Sequence, residues 1–144
     1  MATFNKFNAF VQYLANGGMN LSTDALKLLL TNTAPVATNG LYGDISANEL
    51  ANGNGYTTGG ATVTTVSSSQ TGGIEKLTVS AANPTWTASG SMGPFRYAVL
   101  YDTTPTTPLK PLIGYWDYGT SITLAAGQTF TATFDATNGV LQIA

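Results

Sequence analysis

The spacing of apolar residues changes once along the chain, from a helical period near the N-terminus to strand-like alternation afterwards. The first apolar positions recur every three or four residues and predict one amphipathic helix: Phe4, Phe7, Phe10/Val11 and Leu14. Asn16-Gly17-Gly18 follows as a C-terminal stop, because glycine readily adopts the left-handed backbone conformation. We therefore expect a helix and turn over residues 1–18. Its short apolar face must dock on the rest of the fold or on a neighbouring subunit.

From residue 25 onward, short apolar and β-branched runs are separated by Gly, Pro and Asn, which is typical of antiparallel β-structure. The alternation over residues 25–30 predicts a strand whose second face is partly covered. One helical turn is predicted at Ile45–Leu50. Further strands are predicted at Ala61–Ser68, Glu75–Ser80, Thr85–Ala88, Phe95–Asp102, Leu112–Tyr118, Ser121–Leu124, Thr129–Phe134 and Val140–Ile143. The predicted strand Phe95–Asp102 is expected to present Phe95, Tyr97, Val99 and Tyr101 on one face.

These elements predict a single domain over residues 1–144 with a mainly β fold. The expected architecture is a jelly-roll-like antiparallel β-sandwich with a short N-terminal helix. Residues 103–111 connect two predicted strands and contain Pro105, Pro108 and Pro111. Proline restricts the backbone, so this connection is expected to be an extended and stiff hairpin loop. It is either an ordinary surface loop or a contact element.

Charge is unusually sparse: charged residues make up 8% of the 144 positions, against roughly 25% in ordinary soluble domains. Subunits of larger assemblies tolerate such a surface, because neighbours cover much of it. The net charge is −2 and the five basic residues are scattered. A nucleic-acid partner would need a basic stripe, so none is expected. The apolar runs are too short to span a membrane, and the N-terminus does not resemble a secretory signal.

Candidate chemistry is limited, because the chain contains neither histidine nor cysteine. These residues supply most general bases and transition-metal ligands, so no catalytic residue, cofactor or metal site is expected. Gly53, Gly55 and Gly59 miss the spacing of a dinucleotide-binding loop. Asp102 and Asp117 flank one predicted hairpin and form a candidate carboxylate pair for glycoside hydrolysis. Turn and cap roles are the commoner use of such acids, and the sequence favours a protein that is not an enzyme.

Aromatic residues are the remaining candidates for binding. Strand alternation predicts Trp116 and Tyr118 on one face and Tyr115 on the other. Exposed Trp and Tyr side chains stack on sugars or anchor protein interfaces. A core position is favoured for Trp116, whereas Tyr115 stays open, and Trp86 is a further stacking candidate.

Several segments resemble small virion proteins of tailed bacteriophages: Leu26–Asn39, Gly53–Gly60, Thr71–Gly73, Gly93–Asp102, Pro111–Phe130 and Phe134–Leu141. Together with the predicted helix, this similarity covers nearly the whole chain. The shared motifs are packing and turn motifs, so the resemblance carries over no catalytic or ligand residue. In size and β character it points to capsid decoration, or cement, proteins.

The resemblance implies a homotrimer that binds the major capsid protein on the outside of the head and stabilises the capsid. The expected location is the virion, assembled in the bacterial cytoplasm. Two alternatives stay open: a tail or fibre-tip module that binds a bacterial surface glycan, and a head–tail connector or tail subunit. The candidate subunit or capsid contacts are Phe4, Phe7, Val11, Pro105, Pro108 and Tyr115.

Overall fold

The computed structural model describes residues 2–79 and 83–144. Its one α-helix is α1 (Asn8–Ala15), and two short 3-10 turns lie at Tyr42–Asp44 and Ser46–Asn48. The strands are β1 (Phe4–Lys6), β2 (Leu26–Thr31), β3 (Ala61–Val63), β4 (Thr65–Thr71), β5 (Ile74–Val79), β6 (Thr85–Thr87), β7 (Met92–Asp102), β8 (Leu112–Leu124), β9 (Thr129–Thr131) and β10 (Leu141–Ile143). No helix among these residues is long and apolar enough to cross a membrane.

The strands form three antiparallel sheets: β1-β8-β7-β2-β3, β10-β5-β4 and β6-β9. The prediction of a mainly β, antiparallel fold with one helix is confirmed. Long strands β7 and β8 form the centre of the largest sheet, and residues 103–111 connect them as predicted. The division into five, three and two strands is a detail that alternation along the chain did not specify.

Alternating side chains give the five-stranded sheet two different faces. Leu28, Leu30, Ala98, Leu100 and Trp116 belong to one face, which we call the cleft face. It packs against apolar residues of the two smaller sheets and forms the main core. The other face, called the closed face, consists of Leu29, Val99, Tyr101 and Leu112 and is covered by Phe7 and Ile45. The predicted covering of the second face of β2 is therefore present.

A half-buried carboxylate holds the covering segment on the closed face. Glu49 accepts hydrogen bonds from the hydroxyls of Tyr42 and Tyr56 and from the backbone N–H of Gly59, each at 2.6 Å. The Tyr101 hydroxyl donates to the Gly59 carbonyl at 2.7 Å. Burial, followed by the Glu49 bond, raises the pKa of Tyr42 to about 12 and raises the pKa of Tyr56 still further. Ionising either hydroxyl would place a second negative charge beside Glu49, so the network favours neutral tyrosines.

The prediction that the N-terminal helix already includes Phe4 is wrong. Residues 4–6 form an edge strand rather than the start of a helix, and Phe4, Asn5 and Lys6 pair with Trp116, Tyr115 and Gly114. The ring of Phe4 lies over Gly114, where even a methyl side chain would come within 2.3 Å of the ring. Because Gly114 has no side chain, β1 can pack closely against β8. The helix begins only at Asn8.

The strand predictions also need three corrections. The predicted strand Ala61–Ser68 is split between β3 and β4 in different sheets, and the two predicted strands over 112–118 and 121–124 form the single strand β8. Phe95 leaves the face shared by Tyr97, Val99 and Tyr101, because the pairing register shifts between Phe95 and Tyr97. Ser80, the predicted end of one strand, lies outside the described residues.

Candidate functional site

An open cleft of about 450 Å³ lies beside the cleft face. Strands β7 and β8 form one wall, and residues 130–142 form the other. Leu28 and Leu30, both fully buried, also line it. Seven aromatic residues line it: Tyr97 and the six residues Phe4, Phe95, Trp116, Tyr118, Phe130 and Phe134. Its size and apolar lining are those of ligand-binding clefts in proteins.

These six aromatic side chains form two groups across the cleft. In the first, Trp116 contacts Phe4 and Phe134, with ring centroids 5.1 and 5.5 Å apart. In the second, Phe130 contacts Phe95 at 5.0 Å and Tyr118 at 6.2 Å. Tyr118 is 56% exposed, so this end of the cleft opens to solvent. Mutually packed rings hold one another in place, and the cleft walls are therefore preorganised for an apolar occupant.

Charged side chains near the cleft are already bonded within the chain. Arg96 donates two hydrogen bonds to Asp117, at 2.7 and 2.9 Å. This contact is the main reason why the pKa of Asp117 lies below its usual value. Asp135 accepts the backbone N–H groups of Thr137 and Asn138, both at 2.7 Å, which likewise lowers its pKa. Because these charges are engaged, the cleft favours uncharged, apolar groups over ions.

An edge strand lies at the cleft. β1 is the terminal strand of its sheet, and Ala2 and Phe4 both line the cleft. The outer side of an edge strand presents backbone groups that an extended peptide can pair with. Alternate side chains of such a peptide would then point towards the apolar lining.

Two of the predicted contact residues have clear positions relative to this site. Phe4 lines the cleft, as described above. Phe7, by contrast, is 0% exposed and belongs to the cover of the closed face, so its proposed contact with a partner is wrong. Residue spacing alone could not separate the two, because the change from strand to helix falls between them.

The other predicted contacts lie away from the cleft. Val11 is 44% exposed on α1, whereas Pro105 and Pro108 are half-buried in the connection 103–111. Tyr115 is half-buried on the side of the closed face, where its ring contacts Phe7 at 5.4 Å and Tyr97 at 6.3 Å. The structure does not bring these residues together with Phe4 into one site.

The stacking candidates need one correction. Trp86 is 4% exposed and packs in the main core, so its ring has no free face for a ligand. Trp116 and Tyr118 share a face, as alternation predicted, but they line an open cleft. The signal for this cleft was present in the sequence, because Phe130, Ala132 and Phe134 also share one apolar alternation and all three line it.

Asp102 and Asp117 do not form a carboxylate pair. Asp117 lies opposite Tyr97, whereas Asp102 is five residues further along β7, a separation of roughly 16 Å along a strand. Glycosidase carboxyl groups are separated by about 5–10 Å. Within residues 2–79 and 83–144, no three acidic residues come close enough together to hold a metal ion.

Comparisons with known proteins give no further guide to this cleft. No family model, no curated protein and no solved structure matches the chain.

Proposed function

We propose that this chain is a non-catalytic structural protein of a tailed-phage virion, which binds the major capsid protein on the outer surface of the head. The observation that carries the proposal is the aromatic cleft: it is open, apolar, flanked by an edge strand, and surrounded by charges that are already paired. These properties suit a protein segment better than a charged ligand.

The geometry suggests how the capsid protein would be held. An extended apolar segment pairs with the outer side of β1 and inserts alternate side chains between Trp116 and Phe130. Backbone hydrogen bonds supply part of the affinity, and the buried side chains supply the rest. Each contact is small, but a homotrimer that engages several lattice positions at once gains from avidity.

The sparse charge of the chain fits this role. With five basic and seven acidic residues, most of its surface can be covered by a neighbour without burying unpaired ions. Burying such ions is costly, so a neutral surface lowers the cost of repeated contacts in a crowded lattice. A trimer would have a mass of about 45 kDa, three times the 14.9 kDa of one chain, which light scattering measures directly.

The decisive experiment combines copy number with cleft variants. Quantitative mass spectrometry of purified virions should find this protein in numbers comparable to the major capsid protein. Purified protein should bind heads that lack it, and Trp116→Ala should weaken that binding at least tenfold. Val36→Ala removes an exposed apolar side chain that lies outside the cleft, and it should bind normally. A few copies per virion, or unchanged binding by a folded Trp116→Ala protein, would reject this function.

Glycan recognition is the second candidate, because Trp116 and Tyr118 offer aromatic faces at the mouth of the cleft. Its prediction differs: the isolated protein would bind host surface polysaccharide, Trp116→Ala would abolish that binding, and the virion would hold few copies. A connector or tail subunit would also be present in few copies but would bind no glycan. Copy number and glycan binding together therefore separate the three roles.

A further inference from the structure

A buried carboxyl group without a full set of partners lies at the end of β7. Asp102 is 0% exposed. Its Oδ1 accepts the backbone N–H of Thr104 at 3.0 Å, but its buried Oδ2 has no hydrogen-bond partner within the described part of the chain. An ionised carboxylate in such a position is costly, because burial removes the charge from solvent. A protonated carboxyl group avoids this cost.

A second carboxyl group, that of Asp24, lies next to it. Asp102 pairs with Leu26 at the start of β2, and Asp24 comes two residues before Leu26, where its carboxyl group is within hydrogen-bonding reach of Asp102. The chain is held together here: the Ala25 carbonyl accepts bonds from Thr103, and the Ala25 N–H donates to Thr104 Oγ1 at 2.8 Å. Asp24 itself accepts the Asn20 N–H at 2.7 Å through one oxygen, which leaves its other oxygen for Asp102.

Other charged groups near these acids are directed elsewhere. Lys27 lies on the opposite face of β2, near Gly59, and Lys110 lies over the ring of Tyr42. Glu75 borders a recess beside Asn20 and bonds to Ser68. Among the described residues, no cation faces the pair. Burial, opposed in part by the Thr104 bond and reinforced by Asp24, raises the pKa of Asp102 to about 7.

We propose that Asp102 and Asp24 share one proton in the folded protein, as a carboxyl–carboxylate hydrogen bond that fixes the base of the connection 103–111. Losing this proton leaves two adjacent carboxylates, and their repulsion loosens the base of this connection. The site is thus a pH-sensitive clamp that is closed in mildly acidic to neutral solution and weakened in alkaline solution. It is independent of the cleft and of the proposed virion role.

The direction of the pH effect follows from proton binding. The folded-state pKa of Asp102 lies above the value near 4 of an unfolded aspartate, so the folded protein binds an extra proton between these values. This contribution to stability is fully present below pH 4 and is lost as the pH rises through about 7. Carboxylates with lowered pKa values, such as Asp117 and Asp135, act in the opposite direction at acidic pH. The effect of Asp102 on stability is therefore best measured between pH 6 and 8.5, where the lowered-pKa carboxylates stay ionised.

The test is urea unfolding of the whole protein from pH 6 to 8.5. The wild-type midpoint should fall steadily across this range. Asp102→Asn keeps the shape of the protonated acid but cannot ionise, so its midpoint should stay constant. Asp117→Asn, the matched control at an exposed ion pair, should keep the wild-type slope. A pH-independent wild-type midpoint, or an unchanged slope in Asp102→Asn, would overturn the proposal.

Carbon-13 NMR of the wild-type carboxyl groups covers the case in which Asp102→Asn does not fold. Asp102 should titrate near neutrality, and a simple titration of Asp102 near pH 4 would refute the shared proton. Calcium distinguishes a metal site from a proton site. If calcium chloride at pH 8 raises the midpoint of wild type but not of Asp102→Asn, the pair holds a metal ion and the proton proposal fails.

Discussion

The two faces of the five-stranded sheet are formed by alternate residues of the same strands, but only one of them is fully covered. Adjacent residues of β7, Ala98 and Val99, lie on opposite faces. Val99 is fully buried beneath the 3-10 turns, which Glu49 and its tyrosine partners hold in place. Ala98 lines a cleft that remains open to solvent. The difference is one of covering: the chain supplies a complete cover for the closed face and an incomplete one for the cleft face.

This contrast divides the apolar surface of the chain into one part that is fully used in folding and one part that stays accessible. A fully covered face contributes to the free energy of folding and can accept no partner. An incompletely covered face contributes less to folding but retains free energy that a partner can gain by completing the cover. The predictions below therefore change matched residues on the two faces.

The largest difference is expected between Leu29→Ala and Trp116→Ala. Leu29→Ala leaves a cavity in the closed face and should lower the free energy of unfolding by about 3 kcal/mol. Trp116→Ala should cost only about 1–2 kcal/mol, although the side chain removed is larger, because it is half-buried and water can enter the open cleft. Urea unfolding measures both. A Trp116 variant as unstable as the Leu29 variant would mean that the cleft is part of the structural core.

The next effect concerns the cover of the closed face. Glu49→Gln leaves one amide oxygen where two carboxylate oxygens accepted three hydrogen bonds, so at least one buried donor loses its partner. The expected loss is about 2 kcal/mol. Glu75→Gln, at a more exposed carboxylate, is the control and should change stability by less than about 0.5 kcal/mol. Equal losses in the two variants would contradict a special role for Glu49.

A smaller difference is expected between enlarging Val99 on the packed closed face and enlarging its neighbour Ala98 in the open cleft. Val99→Leu adds a methylene to the packed closed face and should cost about 1–2 kcal/mol. Ala98→Leu places its added bulk in the cleft and should cost less than about 0.5 kcal/mol. Ala98→Leu should nevertheless weaken binding to heads, because it fills the space that the partner would occupy. Normal binding by Ala98→Leu would argue against the cleft as the docking site.

The smallest effect is a change of stability at high pH. The raised pKa of Tyr42, about 12 in the folded protein against 10 for free tyrosine, means that the folded state keeps its proton longer than the unfolded state. This contribution is present below pH 10 and is lost as the pH rises towards 12. Absorbance at 295 nm should show tyrosines that ionise late, and Glu49→Gln should make them ionise earlier. An unchanged titration in Glu49→Gln would show that burial alone causes the shift.

Local alternation predicted most strands and the shared face of Trp116 and Tyr118, because a strand's side chains point to opposite faces wherever the strand lies. It failed where pairing partners are distant in sequence. The edge strand at Phe4 exists only because Trp116 and Gly114 lie beside it, and the helical spacing of Phe4 and Phe7 concealed this. The bulge near Phe95 and the joining of two predicted strands into β8 likewise depend on neighbours across the sheet.

The cleft was only half predictable for the same reason. Its aromatic residues could be assigned to faces, but whether a face is covered depends on where residues 130–142 fold back. The Glu49 network gave no sequence signal, because its donors lie in the irregular connection between β2 and β3, where no strand or long-helix period fixes which side chains meet. The sequence places Asp102 at a strand end. Its nearness to Asp24 depends on the pairing of β2 with β7, which brings together residues far apart in the chain.

The pairing of β1 with β8 has a consequence during synthesis of the protein. Residues 4–6 leave the ribosome well before their partners at 114–116, which are translated about 110 residues later. At roughly 5–20 residues per second, the first strand waits on the order of ten seconds for its partner. During this interval Phe4, Phe7 and Phe10 have no completed sheet to cover them. A nascent-chain binding factor that shields this phenylalanine cluster would therefore raise the yield of folded protein, and truncated translation products should aggregate through it.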